Sequence, residues 1–238
     1  MSVMNNGARL TWLGHATWLL ETPGGKRVII DPWTDGNPSC PPAFHGDGLG
    51  AIDLILVTHG HGDHIGDLLP IQRRTGAEVA AIFDMTTWLQ QQGVEPVTGG
   101  NKGGTMPVQG LKVTLVNAVH SSTFDFDGTR LDLGDPCGLI IELEDGYRIY
   151  NAGDTAVFGD MALIAELYQP DLCILPVGDF FTMGPLEAAK AVELLGATDV
   201  LCQHYGTFPL LSGSPAALRA RVDDSVTIHE LAPGESLT

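Results

Sequence analysis

Positive charge is scarce in this chain. Against 29 acidic residues stand 12 lysines and arginines, for a formal net charge of −17. That balance excludes a polyanion held by electrostatics, so no nucleic-acid partner is expected. Bound cations would neutralise part of the formal charge and still leave an acidic, self-repelling surface. Cysteine is sparse too. The four, Cys40, Cys137, Cys173 and Cys202, form no C-x-x-C pair, and Cys173 and Cys202 lie inside apolar runs, so buried free thiols are expected. No apolar stretch approaches the length needed to cross a bilayer, and Met1–Thr11 lacks a basic start followed by an apolar core. The expectation is a cytoplasmic protein with no membrane partner. Repeats, low-complexity tracts and linkers are also missing, so residues 1–238 are read as one domain with ample surface to bury. No apolar stripe marks an interface, which leaves a homo-oligomer open.

What the chain does have is the run Thr58-His59-Gly60-His61-Gly62-Asp63-His64 directly after the apolar Ile52–Val57. Residues two apart on extended backbone point to the same side, so His59 and His61 can close on one cation. Asp63 and His64 fall where the chain should turn out of the strand, which aims them at a second position. Gly60 and Gly62 let the backbone approach an ion closely. Imidazole and carboxylate together suit zinc, manganese or iron rather than calcium or magnesium alone. A His-rich solvated loop or an adventitious nickel-binding tract is the alternative. Glycine spacers and an acidic residue in register at a strand end argue against it.

Along the chain, Leu10–Leu13, Trp18–Glu21 and Arg27–Ile30 read as strands with Gly24-Gly25 as a turn. The loop from Pro32 to Gly50 is too long for a simple connector and is expected to cover a site. Asp67 is read as capping a short helix that stops near Gly76, and Asp84 as capping Met85–Gln92 before Gly93. Glu78–Phe83 and Leu111–Val116 read as strands, Gly99–Gly110 as a polar glycine-rich stretch, and Phe124–Pro136 as an acidic loop. Asp145-Gly146 signals a hairpin between Gly138–Leu143 and Tyr147–Tyr150. Helices are expected over Phe158–Leu167, Pro185–Leu195 and Ala216–Arg221, and strands over Leu172–Leu175, Val200–Gln203 and Val226–Leu231. Alternating strands and helices indicate an α/β architecture.

Four polar groups each follow an apolar strand almost at once: His59, His120, Asp154 and His204. Any one of the histidines alone could be a satisfied structural residue. Together, in the same topological place, they point to one site at the edge of a sheet.

The H-x-H-x-D-H run, with a His, an Asp and a His downstream, resembles the signature of the metallo-β-lactamase fold superfamily, and the resemblance covers the whole chain. Leu13-Gly14-His15-Ala16, Ala152-Gly153-Asp154-Thr155, Thr182-Met183-Gly184-Pro185 and His204-Tyr205-Gly206-Thr207-Phe208-Pro209 are similar to its metal-dependent hydrolase branch, itself distantly similar to ascorbate-6-phosphate lactonase. The resemblance implies a four-layer αββα sandwich of two mixed β-sheets flanked by helices. It also implies a ligand set: His59, His61 and His120 on a first metal, Asp63, His64 and His204 on a second, and Asp154 bridging. Asp31 matches a buried aspartate that orients a ligand imidazole, although a turn cap would serve as well on sequence alone. His15 matches a histidine near the site.

Two divalent ions are therefore expected, Zn2+ first, with Mn2+, Fe2+ or Ni2+ as alternatives. Cations about 3.5–4 Å apart can share a water and lower its pKa from near 16 toward 7. Asp63 is expected to orient that hydroxide and pass its proton, and His15 to donate to a developing oxyanion. The expected reaction is hydrolysis of a small-molecule ester, lactone or phosphodiester. His64 in place, with no acidic residue inside the motif, favours this over a mononuclear iron oxygenase or thiol-oxidising enzyme on the same fold. A metal-binding protein without turnover is the third alternative. Phe44, Phe124, Phe180, Phe181, Met183 and Phe208 are candidates for an apolar pocket at the mouth.

Overall fold

The computed structural model describes Met4 and residues 6–238, so part of the start read as leader-free lies outside the described residues. In chain order the elements are β1 Arg9–Trp12, β2 Trp18–Glu21, β3 Arg27–Ile30, β4 Leu54–Leu56, α1 Gly62–Ile65, α2 Leu68–Thr75, β5 Glu78–Ile82, α3 Phe83–Gln91, β6 Val97–Gly100, β7 Thr105–Val108 and β8 Leu111–Asn117. Then follow β9 Thr123–Phe126, β10 Thr129–Asp132, β11 Cys137–Glu142, β12 Arg148–Asn151, α4 Met161–Tyr168, β13 Leu172–Pro176, α5 Pro185–Leu195, β14 Asp199–Gln203, α6 Pro215–Arg219, β15 Thr227–His229 and β16 Ser236–Leu237.

Two seven-stranded mixed sheets result, in the orders β16-β1-β2-β3-β4-β5-β6 and β15-β14-β13-β12-β11-β8-β7. Each runs antiparallel on one side and parallel on the other. The switch falls at β3 in the first sheet and at β12 in the second. Short, wholly apolar strands such as Leu54–Leu56 are covered on both faces, as parallel strands require. Leu10, Trp18, Ile29 and Ile55 from one sheet share a core with Val113, Leu139, Ile149 and Ile174 from the other. On the far face of the second sheet Ile140, Tyr150, Cys173 and Val200 pack with Met161, Ile164, Ala188 and Ala191 of α4 and α5. Helices outside and sheets inside make the αββα sandwich that the family resemblance implies.

Several local expectations are corrected. Phe124–Pro136 is not a loop through its length, because β9 and β10 pair as a hairpin around Asp127-Gly128, whose φ values of 48° and 74° are the left-handed pair a tight hairpin turn uses. Acidic residues hid the alternation, in which Phe124, Phe126 and Leu131 turn toward the core while Asp125 and Arg130 pair outside. The glycine-rich stretch before β8 contributes the end of β6 and all of β7. Asp84 does not cap α3, which already begins at Phe83. Asp67 caps no helix with its side chain; its Oδ2 accepts the backbone N–H of Thr34 at 2.6 Å and of Asp35 at 2.9 Å, pinning the long loop. The tail adds an unanticipated strand, β16, along β1. All four cysteines are buried and free, with burial raising each thiol pKa to about 12. Among the described residues no helix is long and apolar enough to cross a membrane.

One buried polar clamp crosses between the sheets at the edge where the chemistry lies. Trp18 Nε1 of β2 donates to Gln203 Oε1 of β14 at 2.8 Å, and Gln203 Nε2 donates to Gly153 O at 3.2 Å and Asn151 Oδ1 at 3.3 Å. Low dielectric makes such a network costly to break, because each orphaned partner keeps its desolvation penalty. Gln203→Leu strands the indole N–H and the Gly153 carbonyl and is expected to cost about 3 kcal/mol. Urea unfolding of the variant measures it, and a loss below about 1 kcal/mol would show that the clamp carries little.

Candidate metal centre

The motif sits where the parallel strand β4 ends. Thr58 Oγ1 donates to Asp31 Oδ2 at 2.7 Å and lies 3.0 Å from His59 Nδ1, so the hydroxyl accepts the imidazole N–H. This leaves the His59 Nε2 lone pair facing inward. Asp31, just past β3, also takes the Thr58 backbone N–H on Oδ1 at 2.8 Å and the His64 Nδ1–H on Oδ2 at 2.7 Å. One buried carboxylate thereby sets the orientation of two imidazoles, His59 through a hydroxyl and His64 directly. The helical turn α1 carries Asp63 and His64 away from the strand direction. His61 stays on extended backbone. His59 Nε2 and His61 Nδ1 approach to 3.0 Å, and His61 Nε2 lies 3.2 Å from Ser121 Oγ.

His120 follows β8, Asp154 follows β12 and His204 follows β14. All three arrive at one atom. Asp154 Oδ2 is 3.1 Å from His204 Nε2, 3.3 Å from His64 Nε2, 3.5 Å from His120 Nε2 and 3.9 Å from His59 Nε2. Two further groupings emerge from the same geometry. His59, His61, His120 and Asp154 bring one ligand atom each to within 4.8 Å of one another, and so do His15, Asp63, His64 and His204.

A cation is the partner these groups are missing. His64 Nε2 and Asp154 Oδ1 are buried without a hydrogen-bond partner in the chain, and buried polar atoms are seldom left so. The ring nitrogens of His59 and His61 converge at hydrogen-bond distance, while a hydroxyl beside the other nitrogen of each can hold its proton. Imidazole and carboxylate donors in this number fit a first-row divalent ion.

The electrostatics follow the same layout. Burial, then the neighbouring imidazoles, pushes His59 well below its ordinary pKa, and burial lowers His61 and His120. Burial also acts against a charge on His204, yet Asp154 and Asp63 outweigh it and hold His204 at about 9. His64 goes the same way, burial being overcome by Asp154 and Asp31. For Asp154 and Asp63 burial opposes ionisation, and the surrounding imidazoles hold both carboxyls well below the carboxylate range.

His15 lies beside the cluster, against Asp63. Its ring is fully buried and its pKa falls to about 4, chiefly through burial, so it is neutral. Nε2 lies 3.0 Å from Asp63 Oδ2 and Nδ1 lies 2.9 Å from Thr207 Oγ1. With Asp63 ionised, Nε2–H donates to the carboxylate and Nδ1 accepts the threonine hydroxyl. In this arrangement both ring nitrogens are engaged within the chain, and His15 holds Asp63.

A cavity of about 660 Å3 opens onto the cluster and is lined by His61, Asp63, His120, Ser121, Asp154 and His204 on one wall, with Phe181, Phe208, Pro209 and Leu210 completing it. Of the aromatic candidates, Phe181 and Phe208 line it, and Phe180 packs against Phe181 with centroids 4.7 Å apart. Phe124 stacks with Phe126 and meets Trp88 edge to face, Met183 is buried in the core that α5 shares, and Phe44 packs on the main core. The long loop does not line the cavity. Its Trp33 instead meets the edge of His15 and the ring of Phe208. Ser121 and Leu210 were not singled out from sequence, although each neighbours a residue that was, His120 and Pro209.

A β-lactamase superfamily domain matches residues 26–205, the stretch from just before Asp31 to just past His204. A relative from Herpetosiphon aurantiacus, named a UPF0173 metal-dependent hydrolase, is 47% identical over 96% of this chain and 97% of its own length. The chain belongs to this family. The family's member from the archaeon Methanosarcina barkeri is 45% identical over 97% of this chain and 98% of its own. Among solved structures, Igni18 of Ignicoccus hospitalis, described as a novel metallo hydrolase, superposes with a TM-score of 0.85 at 35% identity, covering 96% of this chain and 97% of that one. His15 and Thr207 lie outside the matched domain on either side, and the fold brings them together beside Asp63.

Removing the shared acceptor behind the two imidazoles exposes its weight. Asp31→Ala leaves the Thr58 and His64 N–H groups buried without an acceptor and is expected to cost about 3–5 kcal/mol, with Asp31→Asn, which keeps one oxygen, costing less. Thermal unfolding in chelator ranks the two, and a near-neutral Asp31→Asn beside a costly Asp31→Ala would mean that the carboxylate acts only by filling space.

Proposed function

We propose that this protein is a binuclear metal-dependent hydrolase that cuts a small ester, lactone or phosphodiester. His59, His61 and His120 would hold one divalent cation, Asp63, His64 and His204 a second, and Asp154 would serve both. Zinc suits these donors first, with manganese, iron or nickel compatible. The observation that carries the reading is the position of Asp154 Oδ2 among four imidazole nitrogens at 3.1–3.9 Å, two from each proposed ligand set. The family's metal-dependent hydrolase names support the same class of chemistry.

When bound, such cations supply a hydroxide at neutral pH and polarise the oxygen of the bond being cut. The chain's own residues do the rest. Asp63 lines the cavity, stays ionised and is fixed by the His15 Nε2–H, so it can orient an attacking water and accept its proton. His15 in turn is held by Thr207 and boxed between Trp33 and Phe208, which makes it a positioning residue. Ser121 Oγ, beside His61 at the mouth, is a donor that a substrate oxygen can reach.

Metal analysis of protein purified without added metal is expected to return close to two equivalents. His59→Ala should lower turnover of 4-nitrophenyl acetate or bis(4-nitrophenyl) phosphate about 100-fold or more. Full activity after exhaustive chelation would overturn the proposal.

Cation uptake should also depend on pH in a definite direction. His204, raised to about 9, is protonated at neutral pH in the cation-free protein, and His64 is shifted in the same direction by Asp154 and Asp31. A ligand imidazole must be neutral, so each proton competes with the metal, and the competition weakens as pH rises toward the folded-state pKa. Affinity for zinc, read by competition with a chromophoric chelator, is expected to rise between about pH 6 and pH 8, by about tenfold per pH unit for each imidazole proton displaced. An affinity that falls over that interval would contradict the ligand assignment of these two residues.

A further inference from the structure

The cavity wall facing the ligand cluster is built from Phe181, Phe208, Pro209 and Leu210 and carries no lysine or arginine. This is a choice made by the fold. The chain has 12 basic residues, and most are committed to pairs elsewhere, among them Lys102 with Asp135, Arg130 with Asp125 and Arg148 with Glu142. A substrate that enters therefore meets no cation beyond the centre itself, and it approaches through the field of a chain with net charge −17, which disfavours anions.

The apolar wall is also displayed at a cost. Phe181 is 48% exposed, Phe180 64% and Leu210 52%, where large apolar groups would ordinarily be packed away. The turn that presents the two phenylalanines runs through Asp179 and Phe180 at φ values of 68° and 61°, a left-handed conformation that a bulky residue adopts only under constraint. It is held by Asp179, whose Oδ1 accepts the Phe180 N–H and whose carbonyl accepts the Phe181 N–H, each at 2.7 Å. Phe208 is fixed from behind by the edge of His15 and the ring of Trp33. At about 660 Å3 the cavity suits a small molecule with a chain of several carbons.

We infer that the bond cut at this centre is the acyl–oxygen bond of a neutral ester or lactone whose non-reacting part is an apolar chain lying on Phe181, Phe208 and Leu210, and not that of an anionic phosphodiester. This rests on the hydrolase reading. In the step, the hydroxyl of water bonds to the acyl carbon, the acyl–oxygen bond breaks, and the water proton passes by way of Asp63 to the leaving alkoxide, giving an acid and an alcohol. The ligand cluster handles the reacting carbonyl, and the opposite wall takes the chain.

The test uses the full-length, zinc-loaded protein and two readouts. Straight-chain 4-nitrophenyl esters from acetate to decanoate are compared with bis(4-nitrophenyl) phosphate, and straight-chain alkyl hydroxamates of the same lengths are titrated calorimetrically. Both kcat/KM and hydroxamate affinity are expected to rise about threefold per added methylene until the cavity is filled, with the phosphodiester cut far more slowly than the best ester. In a Phe181→Ser/Leu210→Ser variant with unchanged zinc content, both slopes should flatten. Length-independent hydroxamate binding, or faster turnover of the phosphodiester, would overturn the substrate inference and leave the hydrolase reading standing. No turnover of any ester or phosphodiester by zinc-replete protein would overturn the hydrolase reading, and hydroxamate binding would still decide what the apolar wall does.

Discussion

A single buried oxygen, Asp154 Oδ2, sets the terms for the rest of the molecule. It must approach imidazoles carried by α1 and by the segments just past β4, β8 and β14, from both sheets, and it must do so away from water. A desolvated carboxylate is costly unless cations or donors surround it. Here the nearest imidazoles repay that cost by holding protons when no metal is present, which is why His64 and His204 are raised while Asp154 is depressed. The same arrangement makes an apolar core at this edge impossible. The fold tolerates it because the sheets are already locked by the large shared core beneath.

Backbone conformation is bent to suit that convergence. Of the eight described non-glycine residues with positive φ, five are His15, Asp31, His204, Asp179 and Phe180, all in the cluster or at its mouth. Strain of this kind persists only where surrounding contacts over-determine it. The contacts are visible: the His204 N–H donates to the His15 carbonyl at 2.9 Å, and Trp12 Nε1 donates to the same oxygen at 3.0 Å. Glycine does the same work at closer range. Gly153, at φ +60°, precedes Asp154, and a Cβ there would stand 2.8 Å from Thr58 Cβ, so the aspartate's loop and the histidine motif approach each other only because that atom is missing.

The convergence of these side chains was legible in sequence because its members repeat one circumstance, a polar side chain just past an apolar strand, and because three of the imidazoles sit within six residues. Asp31 was half legible: its place after β3 was apparent, but a turn cap and a ligand-orienting carboxylate look alike until His64 Nδ1 is seen at 2.7 Å. His15 was legible as a nearby residue, but its contact with Thr207 was not, since it is made across 192 positions of chain. The β9–β10 hairpin was obscured for another reason. Its solvent face is acidic, and charge on an exposed strand face looks like loop until the Asp127-Gly128 turn is given its left-handed geometry. The apolar wall was partly visible as scattered aromatics, of which tertiary packing sent Phe124 and Met183 elsewhere.

The centre lies on the seam between two similarly built halves, each an antiparallel set of strands followed by parallel ones. The first half supplies Asp31 and the His59–His64 motif, the second supplies His120, Asp154 and His204, and neither half alone presents a complete ligand group around Asp154. Anything that binds across the seam stabilises the docked arrangement over every state in which the halves part, by an amount that grows with its concentration over its dissociation constant. The Trp18–Gln203 clamp acts on the same seam without metal, joining β2 to the strand that ends at His204. Stability and chemistry are therefore coupled at one edge. A substitution in the clamp that lets the sheets shift there moves His204 relative to His59, and a ligand lost from the centre loosens the edge that the clamp was holding.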